Sequence, residues 1–303
     1  MKFRFRSIIL IFLGLIFFSS FSYGQTKKDM HGKKRLHTAF LLNSFAGVDF
    51  IDAKVIINMW IEKLVEDIGD GYYPKTYIME DLSDVFAGLK ACEIDMVVLD
   101  LMEYIKLSKQ IDLTSALVDS SEEKELGEYV FLVHKDAKIS ELKHLKNKKV
   151  SIVRGGRGKI SLMWLDVLLL RNGLPESSQY VVSLEKSANA SKSILPVFFK
   201  KYDACIVTKS AFDTICDLNP QIRRKLTVLR KLSKIPYLIT GFRHDYGQKH
   251  IDEISEMAIN MQKTPEGEQI IKIFHIEKTI LFKEQYFNNI KSLMQEYEKY
   301  LKQ

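Results

Sequence analysis

From Leu36 onward the chain alternates short apolar runs with longer segments whose apolar residues recur at helical spacing. Short apolar runs between polar turns are typical of buried strands, whereas the longer segments favour helices that bury one face. The first part of the pattern predicts strand, helix, strand, helix and strand over residues 36–42, 50–68, 73–79, 82–89 and 95–101. Helices that connect apolar strands in this order predict a parallel sheet covered by helices.

The same alternation begins again near residue 129 and predicts a second α/β unit. Its strands and helices are predicted, in order, over 129–134, 139–145, 149–153, 159–171, 180–184, 191–199 and 203–207. A further strand over 234–240 precedes three helical segments near 249–262, 266–273 and 283–301. We therefore predict an α/β fold with two lobes, each a mixed, mostly parallel sheet flanked by helices.

The first of the two predicted lobes is discontinuous in sequence. Lobe 1 is expected to comprise residues 35–128 and 240–303, and lobe 2 to comprise residues 129–239. Strands near 129–135 and 234–240 would connect the two lobes and act as hinges.

The start of the chain has the pattern of an export signal. Three basic residues within the first six precede an uncharged apolar run over 8–18, and a Ser-rich segment follows up to Gly24. An apolar run of this length is too short to cross a bilayer comfortably, since a spanning helix needs about 20 residues. We predict that residues 1–24 are a signal peptide, cleaved near Gly24/Gln25, and that the protein is periplasmic or secreted. A retained N-terminal anchor is the alternative.

The charge of the chain is only mildly positive. Lys and Arg number 45 against 38 Asp and Glu, which gives a formal net charge of +7. Removing residues 1–24 takes away three cations and no acids, so the balance becomes 42 − 38 = +4. The remaining cations are interspersed with acids, whereas a nucleic-acid surface shows a concentrated basic stripe. We therefore expect no nucleic-acid partner.

The sequence contains no pattern typical of a metal site or a catalytic centre. Its seven histidines lack a paired metal-ligand spacing, and no loop has the spacing of calcium ligands. No nucleophile elbow or comparable constellation occurs. Cys92, Cys205 and Cys216 are expected to be small buried residues, although Cys205 and Cys216 could pair. We expect no catalysis and no metal or organic cofactor.

A glycine-rich turn over residues 153–160 is the sharpest candidate for a ligand contact. It lies between a predicted strand and a predicted helix, where glycines allow a tight turn and close approach of a ligand. The free amides at the start of the helix favour an anion. Arg154 and Arg157 can add charge-assisted hydrogen bonds, and Gly156 exposes backbone between them. An ordinary turn with solvated cations is the alternative.

Other polar residues follow predicted strands, at the ends where ligands bind in open α/β sheets. Asp100 and Tyr104 follow the third strand, Asn43 and Ser44 follow the first, and Thr208 follows a strand of the second unit. Each position alone is more typical of helix capping. Together these turns can converge on one crevice, so we predict a site formed by Asn43, Ser44, Asp100 and Tyr104 facing Arg154, Gly156, Arg157 and Thr208.

The order of elements resembles that of type 2 periplasmic solute-binding proteins, specifically the phosphate/phosphite/phosphonate-binding family of transporter receptors. The residues that carry the resemblance are 93–104, 129–153, 199–207 and 264–271. The resemblance implies two lobes joined by crossing strands, with the ligand in the cleft between them. Tyr104 matches the cleft tyrosine of the family. The family's Ser/Thr-containing turn after the strand is replaced by Arg-Gly-Gly-Arg-Gly-Lys at 154–159.

These observations favour an exported, non-catalytic receptor that binds a small polar, anionic solute, either phosphonate- or phosphate-like or zwitterionic. The receptor would deliver its solute to the membrane permease of an ABC transporter. The alternatives are a periplasmic sensory module of the same fold, which presents a solute to a membrane histidine kinase or receptor, and an exported enzyme. Neighbouring genes for a permease and an ATPase would favour transport, whereas a histidine kinase gene would favour sensing.

Overall fold

A computed structural model describes residues 32–42, 50–68, 71–120, 126–273 and 278–302. The predicted signal peptide, residues 1–24, lies outside the described residues, as do Asn43 and Ser44. Within the described ranges, no helix combines the length and the apolar character needed to cross a membrane.

Among the described residues, six strands form a first mixed sheet in the order β11-β4-β10-β3-β1-β2. These strands are β1 (Lys34–Leu41), β2 (Tyr72–Met79), β3 (Met96–Asp100), β4 (Leu113–Ser120), β10 (Leu238–Arg243) and β11 (Lys278–Leu281). Strand β1 pairs in parallel with β2 and β3, whereas the pairs of β10 with β3 and β4, and of β11 with β4, are antiparallel.

Helices cover both faces of the first sheet. They are α1 (Phe50–Ile68), α2 (Leu82–Lys90), α3 (Leu101–Ser108), α9 (Gln248–Met261) and α10 (Pro265–Ile273). Alternate residues of β1 point to opposite faces, so Leu36 and Phe40 pack with α1 and α9, whereas Ala39 and Leu41 belong to a second apolar cluster. Burial on both faces explains why β1 ends in the continuous apolar run Ala39–Leu41.

A second mixed sheet has the strand order β7-β6-β8-β5-β9 in the described part of the chain. Its strands are β5 (Gly127–His134), β6 (Lys149–Val153), β7 (Ser183–Ser187), β8 (Ala204–Thr208) and β9 (Leu226–Ile235). Strand β6 pairs in parallel with β7 and β8, and β5 pairs antiparallel with β8 and β9. The accompanying helices are α4 (Gly156–Arg171), α5 (Ser177–Tyr180), α6 (Ala190–Phe198), α7 (Lys209–Leu218) and α8 (Pro220–Lys225).

The predicted α/β class, with two mixed sheets flanked by helices, is confirmed. Antiparallel pairs are more frequent than predicted because β4, β9 and β11 were not expected as strands. Two boundaries also differ. Helix α4 begins at Gly156, inside the glycine turn, and β7 begins at Ser183 because residues 177–180 form α5 instead.

The chain passes between the two sheets at positions that differ slightly from the predicted hinges. Strand β5 lies wholly in the second sheet, so the first passage precedes it, between Ser120 and Leu126. The predicted strand over 234–240 is divided at residues 236–237, where β9 ends and β10 begins. The division of the chain into two hinged lobes remains a prediction.

The last helix, α11 (Asn288–Leu301), packs on α4 and β9 of the second sheet. This differs from its predicted place in lobe 1. The contact includes an ion pair in which Nε of Arg171 donates to Oε1 of Glu296 at 2.9 Å. Ile290 and Leu293 are buried in the same apolar cluster as residues of α4. The apolar face of α11 therefore explains its position.

Candidate functional site

Two helix starts, one from each sheet, meet between the sheets. Strand β3 ends at Asp100 and α3 begins at the next residue, whereas β6 ends at Val153 and α4 begins at Gly156. Both strands lie within their sheets and carry their helices at the carboxyl end, where ligands of α/β proteins bind. Each helix start presents backbone N–H groups and the positive end of a helix dipole.

Asp100 lies at this meeting point. Its Oδ1 accepts hydrogen bonds from the backbone N–H groups of Met102 at 3.0 Å and Glu103 at 3.1 Å, so the carboxylate caps α3. The residue is only 4% exposed. Burial raises the pKa of the Asp100 carboxyl above its ordinary value, while the two amides and Lys159 favour the charged form.

Gly156 faces the same carboxylate from the second sheet. A β-carbon on Gly156 would overlap Oδ1, Cγ and Oδ2 of Asp100, so the carboxylate lies directly on the backbone at the first residue of α4. The turn before it requires Gly155 in the left-handed region, with a φ of 88°. The glycines of this turn therefore permit close approach of the two lobes, and a ligand contact at the turn remains a prediction.

A salt bridge beside this contact also joins the two helices. Nζ of Lys159, in the first turn of α4, donates to the carboxylate of Glu103, in the first turn of α3. Lys159 is exposed, so solvent screens the pair and limits its contribution. At the edge of the contact, the positive charge of Lys159 therefore compensates the negative charge of Glu103.

Arg157 extends from α4 toward the segment that connects the sheets. Its guanidinium lies 5.0 Å from the ring centroid of Tyr237, which is a cation–π geometry. The positive charge is close enough to favour the ionised forms of Asp119, Tyr129 and Tyr237. Arg157 is half-buried, so it supplies a cation between the lobes that solvent screens only in part.

Tyr129 offers a buried hydroxyl at the same place. The residue is 1% exposed, and its hydroxyl has no hydrogen-bond partner among the described residues. Burial raises the pKa of Tyr129, Arg157 opposes this shift, and Asp100 and Asp119 add to it. The Tyr129 hydroxyl thus interacts with the cation of Arg157 and with the carboxylates of Asp100 and Asp119. It remains available as a hydrogen-bond donor or acceptor.

Tyr237, in the second passage between the sheets, contacts both lobes. Its backbone N–H donates to Oδ1 of Asp119, at the end of β4, at 2.7 Å. Its hydroxyl donates to the backbone carbonyl of Glu128, in β5, at 2.8 Å, and its ring packs edge-on against Tyr129 with centroids 5.5 Å apart. The segment that connects β9 to β10 and the candidate site therefore share side chains.

The structure brings only some of the predicted site residues together. Asp100, Gly156 and Arg157 lie at the meeting of the lobes. Thr208 is buried and is the cross-strand partner of Tyr129, but its hydroxyl accepts from the backbone N–H of Ala211 and caps α7. Arg154 is exposed. Asn43 and Ser44 lie outside the described residues.

Tyr104 lies away from this contact, contrary to its prediction as a cleft residue. It is buried against Gly241 of β10 and the ring of Phe287, and its hydroxyl lies 2.8 Å from Oγ of Ser115. The reason is helical spacing, since Leu101, Tyr104 and Leu107 form the buried face of α3. The Tyr104 side chain therefore packs beside the core face of α3, where it lines a cavity with Ser115 and Phe287.

Sequence reasoning did not identify Asp119, Tyr129 and Tyr237. Tyr129 occurs in a correctly predicted strand, but no separate role was predicted for it. Asp119 is the penultimate residue of β4, a strand that was not predicted. A charged residue at the end of an apolar run, ALVD at 116–119, was the only signal for it.

No group of His, Cys, Asp or Glu within the described ranges has the arrangement of a metal site. The three cysteines are free thiols. Cys205 and Cys216 are buried, as predicted, whereas Cys92 is exposed at the end of α2, contrary to prediction. Its left-handed conformation, with a φ of 56°, follows the end of that helix.

Comparisons with known proteins identify the family. The sequence profile described as "ABC transporter, phosphonate, periplasmic substrate-binding protein" matches residues 56–286, which is more than half of the chain. A search of curated protein sequences finds no match.

Solved structures share the fold at low sequence identity. A Prochlorococcus marinus protein in complex with methylphosphonate has 16% identity and a TM-score of 0.64, with 88% of this chain and 99% of that chain covered. A Xanthomonas citri protein bound to ATP has 11% identity and a TM-score of 0.65, with 88% and 98% covered. A binding component of a phosphonate ABC transporter from Pseudomonas aeruginosa has 11% identity and a TM-score of 0.62, with 88% and 87% covered. These structures show the fold, and the profile match shows that the chain belongs to the family of periplasmic substrate-binding proteins of phosphonate ABC transporters.

Proposed function

We propose that this receptor binds a small polar solute with an anionic group in the cleft between its two sheets, where Arg157 and Tyr129 receive the solute. The solute is phosphonate- or phosphate-like, or zwitterionic. We further propose that the protein performs no catalysis, that it acts in the periplasm after cleavage near Gly24/Gln25, and that it delivers the solute to a membrane permease.

The observation that carries this proposal is the buried hydroxyl of Tyr129. A buried polar group without a partner costs free energy, so such groups are rare unless a ligand or water completes them. The half-buried Arg157 cation lies close enough to influence the same hydroxyl. A cation and a hydroxyl that converge in a region of low dielectric favour an anionic group.

The connection between this site and the hinge gives the proposal a mechanism. Tyr237 contacts Arg157 and Tyr129 and also hydrogen-bonds to both lobes. A solute held by residues of both lobes stabilises the arrangement in which those residues are close together. A permease can then distinguish the loaded from the empty receptor by its shape.

Arg157→Ala should weaken solute binding about 10- to 150-fold, because a lost charge-assisted contact typically costs ~1.5–3 kcal/mol. A thermal-shift screen of phosphate, phosphonates, sulfonates, carboxylates and amines first identifies a solute, since ligands of the folded state raise its unfolding temperature. Calorimetry then compares the native protein with Arg157→Ala.

Arg224→Ala is the matched control, because Arg224 is an exposed cation on α8. Its removal changes the net charge equally and should leave affinity within about twofold of native. Equal affinity of the native protein and Arg157→Ala would place the pocket elsewhere.

A further inference from the structure

The two helix starts between the lobes already hold an anion of the chain itself. The Asp100 carboxylate caps α3 through two backbone N–H groups and lies on the backbone of Gly156 at the start of α4. Helix N-termini bind phosphate, sulfate and carboxylate groups through this combination of amides and dipole. The carboxylate therefore lies where an anionic group of a ligand would gain most from both helices.

We propose that Asp100 is a built-in anion that determines specificity by excluding dianionic solutes from the meeting point of α3 and α4. This inference rests on the proposed function, because it concerns the same cleft. It narrows the ligand class to solutes that present one negative charge toward Arg157 and a neutral or cationic group toward Asp100.

Two features besides the helix starts support this assignment. The absence of a side chain at Gly156 leaves room for the carboxylate, since a β-carbon there would overlap it. The buried, unpartnered hydroxyl of Tyr129 lies within electrostatic range of Asp100 and marks the adjoining space as a place for a polar ligand. Tyr237 connects the two, because its ring packs on Tyr129 and its backbone carbonyl accepts from the N–H of Leu101, the residue after Asp100, at 3.0 Å.

Charge repulsion gives the exclusion its physical basis. A phosphate dianion at the start of α4 would have to displace the Asp100 side chain or lie beside it in a poorly screened environment. Either choice lowers affinity. A cationic or hydrogen-bond-donating group beside Asp100 raises affinity instead, because the carboxylate can accept a hydrogen bond from it.

The test uses inorganic phosphate as the probe, at about pH 8 where it is mainly a dianion. Asp100→Ser removes the carboxylate and keeps a hydroxyl that can cap α3. Asp100→Asn keeps an oxygen for the Met102 and Glu103 amides and removes only the charge. Calorimetry should show at least about a 10-fold gain in phosphate affinity for Asp100→Ser and a gain in the same direction for Asp100→Asn.

Asp81→Asn is the matched control. Asp81 is the exposed N-cap residue of α2, makes no side-chain capping hydrogen bond, and loses the same charge. It should bind phosphate as the native protein does. Circular dichroism and thermal unfolding verify the fold of each variant, and if Asp100→Ser does not fold, Asp100→Asn decides the matter.

If neither Asp100 variant binds phosphate more tightly than the native protein does, the inference is wrong. This outcome is distinguishable from failure of the proposed function. That failure would appear as an absence of any solute that stabilises the native protein, or as unchanged binding in Arg157→Ala. A gain of phosphate affinity in the Asp100 variants can be measured in either case.

Discussion

Gly158→Ala should lower the free energy of unfolding by about 2–3 kcal/mol, although alanine is the better helix former. Gly158 lies in the first turn of α4, and a β-carbon there would collide with the backbone carbonyl oxygen of Val153, the last residue of β6. Helix propensity favours alanine by about 1 kcal/mol. The collision outweighs this gain, because a backbone oxygen at the end of a buried strand cannot move without disturbing the sheet.

Urea unfolding of the native and variant proteins measures the effect. Gly71→Ala is the matched control, since a β-carbon at Gly71 meets no atom within 4 Å. It should change stability by no more than about 0.5 kcal/mol. If Gly158→Ala is as stable as Gly71→Ala, the β6–α4 turn is looser than the structure indicates.

The fold was predictable where both faces of a strand are buried. Strands β3 and β8 have nearly continuous apolar sequences, β6 is buried over Val150–Val153, and each was predicted within one or two residues. Strands β4 and β9 were missed because their sequences do not show this pattern. β4 begins with half-buried Leu-Thr-Ser, and the edge strand β9 carries exposed cations along its length.

The start of α4 was predicted three residues late because glycine has a low helix propensity. In the structure the helix includes Gly156 and Gly158, since the first needs space for Asp100 and the second for the Val153 carbonyl. Close packing of the turn thus determines the helix boundary. A glycine that is unfavourable for a helix alone becomes necessary when another chain segment touches its backbone.

The candidate site was predictable to the extent that it follows from strand ends. Asp100 and Arg157 lie between the sheets because each follows a parallel strand, and their role in ligand binding remains a prediction. Tyr237 and Asp119 could not be found in this way, since their contact forms only when the chain returns to the first sheet. Tyr104 shows the opposite error, because its helical spacing with Leu101 and Leu107 already indicated a core position.

We expect the Asp119 carboxyl to lower the free energy of unfolding of the native protein as the pH rises from about 4 to 7. The Asp119→Asn variant should lack this pH-dependent loss. Asp119 is 7% exposed, and its Oδ1 accepts from the backbone N–H groups of Tyr237 and Leu238, both at 2.7 Å. Burial raises its pKa from the ordinary 3.8 to about 6, although both amides and Arg157 favour the ionised form.

The sign of the effect follows from proton binding. The folded protein holds this proton more tightly than the unfolded chain, so the contribution of Asp119 to stability is complete below about pH 4 and is lost as the pH rises through 6. The interval from 3.8 to about 6 corresponds to about 3 kcal/mol, at about 1.4 kcal/mol per pH unit. Burial lowers the pKa of His37 and His134, whose contributions therefore increase with pH. For this reason the difference between native and variant is the informative quantity.

Urea unfolding at pH 4, 5, 6 and 7 gives that difference. The asparagine variant keeps an oxygen for the Tyr237 and Leu238 amides, so it loses the charge and retains both hydrogen bonds. The free energy of unfolding of the native protein, minus that of Asp119→Asn, should fall by up to about 3 kcal/mol from pH 4 to pH 7. Asp136→Asn is the control, because Lys200 lowers the pKa of this exposed carboxyl and its removal should produce no such fall. Parallel stability curves for the native protein and Asp119→Asn would mean that the Asp119 carboxyl is solvated, and that the segment joining the lobes is more open than its hydrogen bonds to Tyr237 and Leu238 indicate.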